Sequence, residues 1–113
     1  MRILSHLSDH NSEKNNLLTN WLDNSENCLV IAVFFAEWAG SVEILRGFMD
    51  RIQETCPSVE IHWVNIEQQR ELSIDLGVSA IPSTILFKDR EVVDHIGGVI
   101  PRRKIEERIK PYL

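Results

Sequence analysis

The feature that most constrains this chain is an unbroken apolar run from Leu29 to Phe34, which Phe35 extends. The run is short, rich in β-branched residues and without polar alternation, which is typical of a strand buried on both faces of a sheet. A turn that ends in Gly40 and Ser41 follows it and opens an amphipathic helix. The apolar face of that helix comprises Val42, Leu45, Met49 and Ile52. Backbone N–H groups and the helix dipole converge at such a corner, so a functional site is expected there.

A likeness to a known family begins with the segment Phe35-Ala36-Glu37-Trp38-Ala39-Gly40-Ser41-Val42. It resembles the active-site segment of the thioredoxin family, whose motif reads Trp-Cys-Gly-Pro-Cys. The aromatic residue, the alanine, the glutamate, the tryptophan and the glycine are kept. Ala39 and Val42 stand where the two cysteines would be, and Ser41 replaces the proline. Because a thiolate is the nucleophile in disulfide exchange, the resemblance implies a degenerate motif with no catalytic residue.

The rest of the chain predicts the element order β-α-β-α-β-α-β-β-α and a single domain, residues 1–113. The expected elements beyond the corner are an edge strand Ile3–Leu7, a helix capped by Asn11 or Ser12 that ends before Asp23, a strand Val59–Ile66, a helix Glu67–Leu76 stopped by Gly77, a hairpin of Ser83–Lys88 and Glu91–Ile96, and a last helix opened by Pro101. Helices between the early strands favour a mixed central sheet with helices on both faces.

The resemblance extends along nearly the whole chain, because further segments match the family in order and spacing. These segments are Asn65-Ile66-Glu67, Gly77-Val78-Ser79-Ala80-Ile81-Pro82-Ser83, Phe87-Lys88-Asp89-Arg90-Glu91 and Gly97-Gly98. Together they imply an α/β protein with the thioredoxin fold.

Pro82 is the second informative position. The resemblance implies a cis peptide bond before Pro82, facing the Trp38 corner, and leaves the Ile81 backbone free to pair with an extended peptide. The implied peptide-binding groove comprises Trp38, Ile66, Ile81, Pro82, Gly97 and Gly98, with Ala39 and Gly40 at its border. Two alternatives stay open: Pro82 only shapes the loop, and Trp38 only packs over the turn.

A buried acid and its lysine partner are also missing. Thioredoxins carry an aspartate in the core strand and a lysine in the neighbouring strand, and the aligned positions here are Val33 and Trp63. A buried charge without its partner is costly, so the joint loss is physically coherent. The resemblance therefore implies a redox-inactive member that binds a protein or peptide partner.

Two cysteines, Cys28 and Cys56, keep an alternative open, namely an atypical oxidoreductase that uses a single thiol. A bridge between them is not expected, and each is interpreted as a small core filler. Ser41 has no sequence-adjacent base and is expected to cap the helix that follows it. The four histidines are scattered, so neither a metal nor another cofactor is predicted.

Charge and hydropathy limit the partners. The net charge of −5 argues against binding to nucleic acid or to an anionic membrane. The run Arg102-Arg103-Lys104 is followed by two glutamates and is interpreted as a solvated face. Met1 to Leu18 contains no continuous apolar stretch and no run has transmembrane length, so a cytoplasmic protein is expected. Weak self-association through Trp21 or Trp63 is a further hypothesis.

Overall fold

A computed structural model describes residues 12–113, with side chains from residue 16 onward. Its elements are α1 (Ser12–Asn24), β1 (Val30–Phe35), α2 (Val42–Thr55), β2 (Glu60–Asn65), α3 (Arg70–Asp75), β3 (Ser83–Lys88), β4 (Glu91–Gly97) and α4 (Arg102–Ile109), followed by a 3-10 turn (Lys110–Tyr112). Their order agrees with the prediction. The expected strand Ile3–Leu7 and the candidate cap Asn11 lie outside the described residues. None of the helices within residues 12–113 has the length and apolar character needed to cross a membrane.

Strand β1 lies inside the sheet, whose order is β2-β1-β3-β4. It runs parallel to β2 and antiparallel to β3, and β3 runs antiparallel to β4. The predicted mixed sheet is therefore confirmed. With a strand on each side and helices on both faces, five of the six residues of β1 are buried. This placement explains why the run contains no polar residue.

Alternate residues of β1 serve two separate cores, because successive side chains of a strand point to opposite faces. The first core is formed by β1, α1 and α3, among others, and includes Leu18, Trp21, Val30, Ala32, Phe34, Leu72 and Leu76. The second is formed by β1, α2 and α4, among others, and includes Ile31, Val33, Leu45, Met49, Ile52, Ile105 and Ile109. The layered arrangement is the α/β class that the sequence predicted.

The hairpin between β3 and β4 turns at Asp89 and Arg90, as predicted. Both residues have positive φ, 53° and 64°, which suits the tight turns that join antiparallel strands. Ser25 at the end of α1 holds this turn: its carbonyl accepts the Asp89 N–H at 2.8 Å, and its hydroxyl accepts the Arg90 N–H at 2.9 Å. The Arg90 guanidinium also donates to Asp23. A buried serine thus fixes two residues in a conformation they would otherwise rarely adopt.

The start predicted for the third helix was wrong: α3 begins at Arg70 rather than Glu67. The side-chain oxygen of Asn65 accepts a hydrogen bond from the Glu67 N–H at 2.8 Å, and the backbone carbonyl of Asn65 accepts one from the Gln69 N–H at 3.0 Å. These bonds form a turn at the end of β2, since asparagine side chains readily bond the backbone two residues on. The helix can begin only after that turn.

The other helix ends lie close to their predicted positions. Gly77 has φ of 74°, and its N–H donates to the Ile74 carbonyl at 3.0 Å, as expected for a glycine that stops a helix. Pro101 stands immediately before α4 rather than at its first residue, so the helix begins one residue later than predicted.

An ion pair joins α4 to the outer strand of the described sheet. The Arg108 Nε and Nη2 atoms donate to the two Asp94 carboxylate oxygens at 2.7 and 2.5 Å. This bidentate contact lowers the pKa of Asp94, even though partial burial opposes the shift. A carboxyl whose pKa is lower in the folded than in the unfolded chain adds stability above its ordinary pKa and loses it as the pH falls.

Asp94→Asn is expected to lower the free energy of unfolding by about 1 kcal/mol at neutral pH, because it removes one charge of a bidentate pair. The difference should shrink as the pH falls below about 3.9, the ordinary pKa of an aspartate, because the unfolded chain then takes up the proton more readily than the folded one. Urea denaturation at neutral and at acidic pH measures it. Glu107→Gln is the control, because the Glu107–Lys104 pair at 3.6 Å is more than half exposed. An equal loss at both pH values would contradict the electrostatic account.

Candidate functional site

Strand register brings the predicted groove residues to one edge of the sheet. Phe34 pairs with Ser83, and Ser83 pairs with Gly97, so the turn after β1, the loop before β3 and the end of β4 meet there. The loops are joined by backbone hydrogen bonds. Ile66 N–H donates to the Phe35 carbonyl at 3.0 Å, and Gly98 N–H donates to the Pro82 carbonyl at 2.7 Å.

The turn at this edge presents Trp38 to solvent, with 71% of its surface exposed. The neighbouring Ala39 N–H donates to the Ala36 carbonyl at 3.1 Å, which holds the backbone in a tight turn. Val42, at the position of the second family cysteine, is buried under the first turn of α2. An indole exposed to this extent contributes little to a core, and tryptophan is enriched at binding hot spots.

The expected helix cap by Ser41 was wrong. Ser41 precedes α2, but its hydroxyl makes no hydrogen bond with the helix N–H groups. Its backbone already has helical angles, φ −76° and ψ −5°, whereas a capping residue normally has extended angles that turn its side chain back onto the helix. Ser41 therefore continues the helical backbone geometry, and its hydroxyl does not cap the helix.

The loop before β3 carries an available backbone segment. The Ile81–Pro82 peptide bond is cis, and Pro82 is buried while Ile81 is half-buried. Within residues 12–113, neither the N–H nor the C=O of Ile81 makes a hydrogen bond, although the Ala80 and Pro82 carbonyls both accept one. The backbone groups of a half-buried residue can form hydrogen bonds to water or to a bound chain.

Val33 and Trp63 lie beside each other in the β1–β2 register, and Val33 is fully buried. The Trp63 ring is half-buried, and the Arg46 guanidinium from α2 lies 4.4 Å from the ring centre. Phe35 meets the same indole edge to face, at 6.2 Å between ring centres. This cation–π stack fills the space between α2 and β2. Sequence reasoning missed Arg46, because nothing in the local pattern places α2 over that strand.

Two cavities border the edge. One of about 420 Å³ lies beside the turn and is lined by Phe35, Ala36, Glu37, Ala39, Gly40, Val42, Glu43 and Arg46. The other, of about 330 Å³, lies beside the Ile81 loop and is lined by Ile66, Glu67, Arg70, Ser73, Ile74, Val78, Ser79 and Ile81. The α3 residues of the second cavity were not predicted. Ile74 is the sequence signal that could have indicated these residues. It is apolar, but it does not share the four-residue spacing of Leu72 and Leu76 that marks the buried face.

The cysteines lie elsewhere. Both are free and half-buried, and they pack against opposite cores, Cys28 with the first and Cys56 with the second. Burial raises the pKa of the Cys28 thiol, and the nearby Glu60 adds to the shift. A raised pKa reduces the fraction of nucleophilic thiolate. Among the described residues, no group of three or more metal-ligating side chains could hold an ion.

Comparisons with known proteins agree with this geometry. The sequence model of the Thioredoxin family matches residues 10–111. A thioredoxin of Chlamydia muridarum is 34% identical over 80 residues, which cover 71% of this chain and 78% of that protein. Thioredoxin-1 of Schizosaccharomyces pombe is 32% identical over 85 residues, covering 75% of this chain and 82% of its own.

A solved structure supports the same assignment at the level of the fold. The thioredoxin of Fasciola hepatica superposes with a TM-score of 0.79, at 24% identity, over 88% of this chain and 94% of that one. The α/β architecture with a mixed sheet and a solvent-exposed turn after β1 is thus the thioredoxin fold. The chain belongs to the thioredoxin family.

Ser41→Ala is expected to change the free energy of unfolding by less than about 0.5 kcal/mol, because no hydrogen bond is lost. Ser25→Ala is the matched control. The Ser25 hydroxyl is buried, donates to the Leu22 carbonyl at 2.7 Å and accepts from Arg90 N–H, so its removal should cost about 1–3 kcal/mol. Thermal or urea denaturation of the three proteins compares them. A loss for Ser41→Ala as large as that for Ser25→Ala would restore the capping role.

Proposed function

We propose that this chain is a redox-inactive thioredoxin-like protein that binds a protein or peptide partner through the groove around Trp38 and Pro82. The observation that carries the proposal is the Ile81 backbone, which makes no hydrogen bond within residues 12–113. It lies in the loop before β3, at the same edge of the sheet as the turn that exposes Trp38. An extended segment could pair with Ile81 as an added strand and rest its side chains on the Trp38 indole. Main-chain hydrogen bonds would supply affinity, and the cavities beside the groove would supply selectivity.

Redox inactivity is supported by the side chains at the turn. Ala39 and Val42 cannot form a mixed disulfide, and Val33 cannot relay a proton. A thioredoxin-like protein without these groups keeps the shape of the groove but cannot capture a substrate covalently. The free cysteines fit a cytoplasmic location, where thiols stay reduced.

The alternative is an oxidoreductase that acts in cell redox homeostasis through a single thiol, Cys56 or Cys28. Its support is the family name of the relatives alone, because both thiols lie outside the groove and burial suppresses ionisation of Cys28. The two functions predict opposite results in one assay.

That assay is reduction of a disulfide-bonded protein by dithiothreitol, with and without this chain. No acceleration over dithiothreitol alone is expected, since no thiolate stands at the turn. A thioredoxin that carries the Trp-Cys-Gly-Pro-Cys motif serves as the positive control. Acceleration that disappears in Cys56→Ser or Cys28→Ser would overturn the proposal and establish the alternative.

Partner binding is tested with a displayed library of short, cysteine-free peptides. Peptides selected on the wild-type chain are expected to lose at least about tenfold in affinity for Trp38→Ala, because the indole is the largest exposed apolar contact of the groove. Ile44→Ala is the control, since Ile44 is exposed on α2 outside both cavities. Peptides that bind both variants equally would place recognition elsewhere.

A further inference from the structure

We propose that the cavity of about 420 Å³ between the turn after β1 and helix α2 binds a free α-amino acid with an apolar side chain. This inference goes beyond the proposed function, because the ligand is a small molecule. Of the groove, only the border residues Ala39 and Gly40 line this cavity. The cavity volume lies within the range of about 300–1,000 Å³ that is usual for ligand pockets, so it can hold a molecule of this size.

Arg46 supplies the cavity with a cation whose N–H groups are available to a ligand. Its guanidinium stacks on the Trp63 ring, 4.4 Å from the ring centre, and stacking uses the face of the group and leaves its N–H edge uncovered. The Glu43 carboxylate lies 3.8 Å from Nε, which is too far for a hydrogen bond. Among the described residues, the guanidinium therefore donates no hydrogen bond. A planar set of N–H donors held in place by an aromatic ring is well suited to bind a carboxylate through two hydrogen bonds.

Acidic side chains in the same lining determine which charges the rest of the ligand can carry. Glu37 and Glu43 both line the cavity, and both are exposed. Glu37 makes no ion pair with any described side chain, and Glu43 meets only Arg46, at the distance given above. A ligand with a carboxylate alone would be repelled by the two glutamates, and a ligand with an ammonium alone would be repelled by Arg46. A zwitterion avoids both costs, because its carboxylate can face Arg46 while its ammonium faces a glutamate.

The other side chains that line the cavity are apolar. Phe35 is half-buried, Ala36 and Val42 are buried, and none of these side chains carries a hydrogen-bonding group. Ala39 and Gly40 add little bulk, and a Cβ placed on Gly40 would meet no atom within 4 Å. An apolar side chain of the ligand gains free energy when it leaves water for such a surface. A polar side chain would lose hydrogen bonds to water there without replacement, so the cavity favours an apolar amino acid.

The experiment is an NMR titration of the full chain with L-phenylalanine, which follows the backbone N–H signals of Ala39 and Gly40. Phenylpropionate, which lacks the ammonium, and phenethylamine, which lacks the carboxylate, are the matched probes. Phenylalanine is expected to bind with a dissociation constant on the order of 1 mM, as is usual for so small a ligand. Each of the other two should bind at least about tenfold more weakly, because each loses one charge-assisted contact.

Variants assign the two charges to their residues. Arg46→Lys keeps the positive charge but loses the planar set of donors, so the affinity for phenylalanine should fall about tenfold. Arg51→Lys is the matched control, since Arg51 lies on the same helix, is exposed and does not line the cavity. The double variant Glu37→Gln/Glu43→Gln should lose the preference for phenylalanine over phenylpropionate. Both glutamates are exposed, so this variant decides the question even if Arg46→Lys disturbs the stack on Trp63.

Several results would overturn this inference. Absence of saturable phenylalanine binding to the wild-type chain is one, and an equal loss of affinity for Arg46→Lys and Arg51→Lys is another. N-acetylphenylalanine that binds as tightly as phenylalanine would show that the ammonium is not recognised, which would point to the carboxyl end of a peptide as the occupant instead of a free amino acid. None of these results touches the proposed function, because peptide binding to the groove is tested separately with Trp38→Ala.

Discussion

Burial of β1 on both faces is the constraint on which the rest of the structure depends. Its side chains alternate between two cores, one with α1 and α3 and the other with α2 and α4. A polar side chain anywhere in Val30–Phe34 would enter one of these cores, where an unpaired charge is costly. Val33 is fully buried and brings no charge into the second core. The stack of Arg46 on Trp63 leaves a cation nearby, at the border of the core, where water can still reach it.

Sequence reasoning reached most of the fold, because the periodicities that define it are local. The apolar run, the spacing of α2, the glycine after α3 and the hairpin all follow from residues within a few positions of each other. The start of α3 does not follow from such a local pattern. The Asn65 side chain accepts a hydrogen bond from the Glu67 N–H and so forms a turn where the helix was predicted to begin. The predicted Ser41 cap was wrong for a similar reason. Serine favours capping as a residue type, but the backbone angles decide whether its hydroxyl can reach the N–H groups of the first helical turn.

The candidate site was predicted less completely than the fold. Strand register places the turn after β1, the loop before β3 and the end of β4 at one edge of the sheet, but the groove role of Trp38, Ile81, Pro82 and Gly97 stays a prediction. The contribution of α3 was missed, since an isoleucine off the buried face of a short helix has no distinctive sequence signal. Arg46 was missed because its partner lies on another strand. Contacts of this kind depend on the packing of distant segments, which local patterns do not encode.

The serine that holds the hairpin lies at the opposite end of β3 from the groove. Ser25 fixes Asp89 and Arg90 there, while Ser83, at the other end of the same strand, joins the loops of the groove. At the hairpin end a buried serine holds the turn, whereas at the other end the loops are joined by backbone hydrogen bonds and still leave Trp38 exposed to solvent. The described fold forms with a methyl group at Ala39 and an isopropyl group at Val42, so its strands and helices need no thiol at this turn.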